Sequence, residues 1–346
     1  MNSTTDLNVA IVGIGFMGSM HAQIYGLLPQ ARLAAAADLK PQAAGDKLAA
    51  LGFGIPVYSS LRELLLRHPE IDVVDLCTPS DAHEGDALVS LASGKHLFCE
   101  KPLTLSLAAA DRIIEKAEQT GKHAQVGHCI RFWPEYQALR KFKNDNAGGR
   151  LLSLSMQRMA GRPKYSDGDW LNDPRRSGGA ALDLHIHDTD FVAALLGRPI
   201  AVTSRATFDY SGPSHIFTLF DYPGIAVSAE GGWNYPEGWG FRMVFQAIFE
   251  SACLDFDSSK APTLSITWDG RPPEPMPFAA PNVGQSTSKA GNISSLGGYF
   301  NELQQFIAGV KAGHPPSEAT LRDSRLSLEI VFSEIESARS RSTVSL

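Results

Sequence analysis

The chain is poor in cysteine. Its four cysteines, Cys77, Cys99, Cys129 and Cys253, are scattered and form no Cys-x-x-Cys pair. That gives no sign of a disulfide framework, and reads as four reduced and mostly buried thiols in a cytoplasmic protein. No basic run is present, and the formal net charge is -6. Nucleic acid and anionic membrane are therefore poor candidates for the main partner. No apolar run is long enough to span a bilayer. The polar start, Met1 to Asp6, has no basic region, so no signal peptide is expected. Internal repeats and low-complexity tracts are absent too. What is present is ordinary globular composition: 346 residues, 43% hydrophobic and 20% charged, enough for two domains with sizeable cores.

The first third alternates short apolar runs with helical stretches. Strands are expected at Leu7–Gly13, Arg32–Asp38, Asp72–Thr78, His96–Cys99 and His123–Gly127. Helices are expected between them, at Gly18–Leu28, Leu61–Arg67, His83–Ser93 and Ser106–Thr120. This alternation predicts a doubly wound parallel sheet with helices on both faces. The pattern changes near Ile130. Longer β-rich runs follow at Leu151–Arg158, Ala201–Tyr210, His215–Asp221, Ile225–Ala229, Phe241–Phe249 and Thr263–Trp268, with Pro223-Gly224 as a hairpin signal. One helix, Ala180–Leu196, precedes most of them and stops at Gly197 and Pro199. A long loop over 271–298 and two helices, Tyr299–Lys311 and Glu318–Ala338, complete the chain. The fold class expected is α/β: an N-terminal Rossmann doubly wound parallel sheet over 1–128, then a C-terminal α/β domain with a large, mostly antiparallel open sheet over 129–346.

Gly13-Ile14-Gly15-Phe16-Met17-Gly18 matches Gly-x-Gly-x-x-Gly, between a strand and a helix and with an acid downstream. Gly13 suits the tight turn, Gly15 the close approach of a pyrophosphate, and Gly18 the packing of helix on strand. Phe16 and Met17 open the helix whose amides would receive the phosphates. Asp38 ends the second strand, where a carboxylate accepts ribose hydroxyls and repels a 2′-phosphate. NAD is therefore expected rather than NADP, although Lys40 would lean toward a phosphate.

Two further strand ends carry polar residues, and ligands bind at strand C-termini in such sheets. One runs into Thr78-Pro79, with His83 just beyond. The other runs into Glu100-Lys101-Pro102, where the proline fixes the turn. Far downstream, Ser177-Gly178-Gly179-Ala180 leads into Asp183 and His187. Four residues apart on a helix, these two would share a face, and a histidine beside a carboxylate can take a proton near neutral pH. Read alone, such a pair would usually be a structural hydrogen bond. A metal site from Asp183, His185, His187 and Asp188 is disfavoured because one helix does not converge those four; no metal is expected.

Taken in order, the glycine loop, the Glu-Lys-Pro turn and the Gly178-Gly179…Asp183…His187 segment resemble the Gfo/Idh/MocA oxidoreductases over nearly the whole chain. The resemblance implies an NAD-dependent enzyme acting on a CH–OH group of a sugar, cyclitol or related polyol. It implies Lys101 near the reacting centre and Asp183 and His187 as the helix pair. It also implies dimer or tetramer contacts through the open sheet. His128 and Arg131 would face the substrate, and Trp170 would lie over it. A buried structural histidine is the competing reading of His128. Two departures from the family pattern stand out: Ala180 where a third glycine is common, and His185 where a small residue is common. Two other functions fit the same motifs, an NAD-dependent glycosidase using transient oxidation and a non-catalytic NAD-binding sensor.

Overall fold

The computed structural model describes residues 6–283 and 296–346. Residues 1–5 of the polar start and 284–295 of the expected loop lie outside the described residues. The contacts group the chain into two compact units. Unit 1 holds Met1–Cys129, Tyr165–Gly168 and Pro281–Arg325; unit 2 holds Ile130–Lys164, Asp169–Ala280 and Leu326–Leu346.

Unit 1 begins with β1 (Leu7–Val12), α1 (Phe16–Tyr25), β2 (Ala31–Ala37), α2 (Pro41–Ala50), β3 (Val57–Tyr58) and α3 (Leu61–Arg67). It continues with β4 (Val73–Leu76), α4 (His83–Ala92), β5 (His96–Glu100), α5 (Leu107–Thr120) and β6 (Ala124–Gly127). The six strands form one parallel sheet in the order β3-β2-β1-β4-β5-β6. Parallel strands covered on both faces read as unbroken apolar runs, and all four residues of β4 are buried. Side-chain caps set two helix starts. Ser60 accepts the Glu63 amide at α3, and Ser106 accepts the Ala109 amide at α5. The two-residue β3 has too little pattern to be read from sequence.

Unit 2 contains α6 (Pro134–Asn144), β7 (Leu151–Gly161), α7 (Pro174–Ser177) and α8 (Ile186–Leu196). Its remaining strands are β8 (Ala201–Asp209), β9 (Gly212–Tyr222), β10 (Ile225–Tyr235), β11 (Phe241–Phe249), β12 (Ala252–Asp257), β13 (Leu264–Trp268), β14 (Glu274–Pro275) and β15 (Val344–Ser345). They form a nine-stranded sheet in the order β14-β13-β12-β11-β7-β10-β9-β8-β15. Every pairing is antiparallel except β7 with β10. The Pro223-Gly224 turn joins β9 to β10, with Tyr222 opposite Ile225.

One face of this sheet is packed. The Tyr136 ring of α6 meets Phe191 of α8, Phe245 of β11 and Phe256 of β12 at centroid distances of 4.9, 5.1 and 5.5 Å. The opposite face keeps Phe217 and Leu219 exposed, at 52% and 63%, between buried Ile216, Thr218 and Phe220. Two last helices follow, α9 (Gly297–Ala312), which packs on α1, and α10 (Leu321–Ser340).

The expected continuous helix over 180–196 is corrected. Ala181–His185 is a π-helical turn, in which the Ile186 amide bonds back to the Ala181 carbonyl. The turn is wider than an α-turn, so the α-helical argument that sets Asp183 directly beneath His187 does not hold there.

Candidate active site

In unit 1, the glycine loop is shaped by close contacts. Gly13 has φ +88°, and a Cβ there would lie 2.7 Å from the Cys77 carbonyl oxygen. A Cβ at Gly18 would come within 1.9 Å of the Gly13 oxygen, so α1 can approach β1 only through glycine. Gly15 is different. It caps α1, and nothing lies within 4 Å of where its Cβ would be. An anion can therefore reach the helix N-terminus over Gly15, and no acidic residue occupies the first turn of α1. The chain thus fits the pyrophosphate of a dinucleotide at this place.

Asp38 is held by the same loop. Its Oδ2 accepts the Ile14 amide at 2.8 Å and its Oδ1 accepts the Lys40 amide at 2.8 Å. The carboxylate is thereby fixed at the end of β2. The Lys40 ammonium is engaged by Asp167, at 2.8 and 2.9 Å to its two oxygens. Tyr165 of the same short segment meets the Phe16 ring at 5.8 Å. The lysine that would lean toward a 2′-phosphate thus already has an anionic partner.

His83 is buried, and its ring nitrogens lie 2.8 Å from the Pro102 carbonyl and 2.9 Å from the Thr78 carbonyl. It ties the Thr78-Pro79 strand end to the Glu100-Lys101-Pro102 turn. Burial pushes its basicity down. Thr78 Oγ1 lies 3.5 Å from Asp86. Glu100 is buried, and its Oε2 accepts the Lys101 amide at 3.2 Å. Lys101 itself is half-buried. Both His83 and Glu100 hold the turn rather than project from it.

In unit 2, Gly178 and Gly179 have φ of +77° and +73°. A Cβ on Gly179 would lie 2.7 Å from the Ser211 oxygen, and one on Gly178 2.3 Å from Leu182. These glycines turn the chain tightly into the π-helical turn. Asp183 sits within that turn, half-buried, and His187 lies in the first turn of α8, 8% exposed. Single π-helical turns recur at functional sites.

The neighbours of His187 anchor this helix. Asp188 pairs with Arg158 of β7, Oδ2 to Nε at 3.0 Å, with both side chains buried. Asp190 receives Arg131 through Nε and Nη2, each at 2.7 Å, and the Ser327 hydroxyl at 2.7 Å. Thr189 donates to Glu334 of α10 at 2.9 Å. His185 Nε2 is 2.8 Å from the other Glu334 oxygen, and both side chains are fully buried. His185 is therefore an anchor of the π-helical turn. Gly231 makes room for it, since a Cβ there would lie 2.7 Å from its ring.

The residues expected over the substrate divide. Arg131 is buried against Asp190. In unit 1, His128 is fully buried, with Nε2 2.9 Å from Ser324 Oγ. Trp170 is half-buried in a short 3-10 turn, Asp167–Asn172. Elsewhere in unit 2, Trp233 is a core residue whose indole N–H reaches Ser211 Oγ at 3.2 Å.

Sequence reading missed one cluster beneath the glycine loop. His21 Nδ1 lies 2.8 Å from Asp75 Oδ2 and 3.3 Å from Cys77 Sγ. Among the described residues these three ligand-type side chains come within 4.8 Å of one another. The short His–Asp contact is a direct hydrogen bond, and burial raises the Cys77 thiol so far that it stays protonated. The cluster reads as a hydrogen-bonded network, not a metal cage. An aspartate inside the apolar run Val73-Val74-Asp75-Leu76 was the available signal, because a buried carboxylate needs partners.

Residues 7–128 match the oxidoreductase family with the NAD-binding Rossmann fold, and residues 136–248 match the GFO/IDH/MocA C-terminal domain. The chain belongs to the Gfo/Idh/MocA oxidoreductase family. The inositol 2-dehydrogenase of Streptomyces avermitilis is 30% identical over 270 residues, 76% of either chain. The inositol 2-dehydrogenase of Rhizobium meliloti is 33% identical over 199 residues, 57% of this chain and 57% of that one. The chain thus spans a little over half the length of this relative. Among solved structures, a levoglucosan dehydrogenase in complex with NADH and levoglucosan superposes with a TM-score of 0.83 at 22% identity, covering 99% of both chains. This Gfo/Idh/MocA chain therefore has the family fold in both units, with the NAD-binding Rossmann fold over residues 7–128. No helix among its described residues is long and apolar enough to cross a membrane.

Proposed function

We propose that this protein is an NAD-dependent dehydrogenase or reductase acting on a secondary alcohol of a sugar, cyclitol or related polyol. The observation that carries the reading is Asp38. The Ile14 amide of the glycine loop and the Lys40 amide just after β2 hold its carboxylate, and the N-terminus of α1 is uncovered. That arrangement suits ribose hydroxyls and repels a 2′-phosphate. The relatives named inositol 2-dehydrogenase support the substrate class.

Bound NAD supplies the hydride acceptor. The remaining work falls to this chain's own side chains. Lys101 holds the reacting oxygen and stabilises the negative charge that develops on it. His187 takes the hydroxyl proton on a ring nitrogen, or returns it when the reaction runs as a reduction. Asp183 orients His187 or binds a neighbouring hydroxyl. Gly13, Gly15, Phe16, Met17 and Gly18 form the phosphate turn, while Thr78 and Pro79 line the nicotinamide side. His83 and Glu100 fix the turn that carries Lys101. Trp170 stands nearest the role of a substrate contact, whereas His128 and Arg131 act from within the packing. The protein works in the cytoplasm as a homo-oligomer, with the exposed face of the nine-stranded sheet as its contact surface.

The test is formation of NADH, followed by absorbance, on a panel of cyclitols and sugars. Lys101→Ala and His187→Ala should each lower kcat by about a hundredfold or more while leaving NAD affinity nearly unchanged. A near-normal kcat removes that residue from the mechanism. Turnover without net NADH turns the reading toward glycoside cleavage through transient oxidation. NAD binding with no turnover on the panel turns it toward a sensor.

A further inference from the structure

We infer that His21 is a positioning residue for the reaction: set between Asp75 and Glu100, it holds the Glu100 carboxylate and, through it, the backbone of Lys101. The inference rests on the reading that Lys101 holds the reacting oxygen.

The geometry is a chain of contacts inside unit 1. Tyr25 donates its hydroxyl to Asp75 Oδ2 at 2.9 Å, and the same oxygen lies 2.8 Å from His21 Nδ1. On the other edge of the imidazole, Nε2 is 3.3 Å from Glu100 Oε1, an ion-pair distance rather than an aligned hydrogen bond. The other Glu100 oxygen accepts the Lys101 amide at 3.2 Å. Gly127 leaves the space that this carboxylate fills; a Cβ there would lie 2.8 Å from Oε1. His21 and Asp75 are fully buried.

Two carboxylates removed from water need a cation between them. A neutral imidazole carries a single N–H and can serve only one of them; the imidazolium serves both. Burial alone would lower the basicity of His21, but Asp75 on Nδ1 outweighs it and holds the group well above its usual value. The other groups facing the ring do not supply the cation. They are the Cys77 thiol, the edge of Phe98 at 5.6 Å and the Tyr299 ring at 6.5 Å. Burial raises both Tyr25 and Tyr299, so neither phenol ionises. Glu302 of α9 adds further negative charge near both tyrosines.

His21 belongs to α1, whose N-terminus is the phosphate-binding end. The contacts therefore join the helix that takes the cofactor's phosphates to the turn that carries Lys101. Neither His21 nor Asp75 needs to touch substrate or cofactor for this.

The experiment compares wild type with His21→Asn, Glu100→Gln and the double variant, using the full-length protein with NAD and the best polyol from the panel. His21→Asn should lower kcat by about tenfold or more while NAD Kd changes less than about threefold. If His21 acts through Glu100, the two changes should not add: the double variant should be no more than about twofold slower than the slower single variant. A purely structural role of His21 would instead let the two losses multiply. A His21→Asn protein with kcat within about twofold of wild type overturns the inference. So does a double variant in which the two losses multiply. Should His21→Asn fail to fold, the nearly isosteric Glu100→Gln decides alone: a normal kcat overturns the inference, and a tenfold loss with NAD affinity kept supports it. Lys101→Ala serves as the control. If that variant turns over normally, the proposed role of the lysine has failed; if it collapses while His21→Asn is normal, only the inference about His21 has.

Discussion

His96 shows how burial and neighbouring groups together set the protonation of a residue. Its Nδ1 accepts the His123 backbone amide at 3.1 Å, so that nitrogen must carry no proton in the folded state. Burial first, then the Lys122 ammonium and His123, lower its pKa from 6.5 to about 4. The unfolded chain takes a proton near 6.5 and the folded chain only near about 4. Between those values the unfolded state holds more protons, so acidification favours unfolding; above about 6.5 the contribution to stability is complete. Urea midpoints measured at pH 7 and pH 4.5 should therefore fall less in His96→Gln than in wild type. Equal falls would show that other groups control the acid limb. Much at this scale was legible in the sequence. Asp38 was found from its distance to the glycine loop, because a ribose-binding acid must end the strand after that loop. His185 could not be placed that way, since its partner Glu334 is remote in sequence and meets it only in the folded unit.

The π-helical turn and α8 form the element on which the proposed chemistry depends. Asp188, Thr189 and Asp190 follow His187 directly, and each takes a partner from a different element. This fan of buried contacts fixes the rotation of α8 about its axis, and hence the direction of His187. A buried pair that loses one member leaves an uncompensated charge, which costs about 3–5 kcal/mol. Asp188→Ala should therefore lower stability by about that amount in urea unfolding, whereas replacing Arg158 and Asp188 together by Met and Leu should cost less. A single-variant loss below about 1 kcal/mol would show that the pair does not anchor the helix. Sequence periodicity found this helix and both its ends within a few residues. It missed the π-helical turn because Ala180, Ala181, Leu182, Leu184 and Ile186 are apolar on nearly every side, so no change of phase can be read there. It also missed β12, a six-residue strand in which Ala252, Leu254 and Phe256 face the core.

At the scale of the whole molecule, the outward face of the large sheet is the proposed contact surface between copies of the chain. Phe217 and Leu219 alternate with core residues on β9, and Ile248 of β11 lies on the same side, 39% exposed. Exposed apolar sheet of this kind marks an interaction surface. Phe217→Glu together with Leu219→Lys should shift the protein toward monomer in sedimentation or light scattering, with the Tm of the monomer nearly kept. An unchanged mass would move the contact surface elsewhere. The sequence by itself determined the α/β class, the parallel Rossmann alternation, the family and the glycine loop with its acid. Those features depend on local spacing, on periodicity and on the backbone freedom of glycine, which are written in neighbouring residues. Tertiary structure decided which partners hold the buried polar residues. Arg131, His128 and His185 became packing partners, and His21, read as nothing in the sequence, came to lie behind Lys101. The physical reason is that a buried charge is defined by the partner that compensates it, and the chain brings that partner in from a distant position.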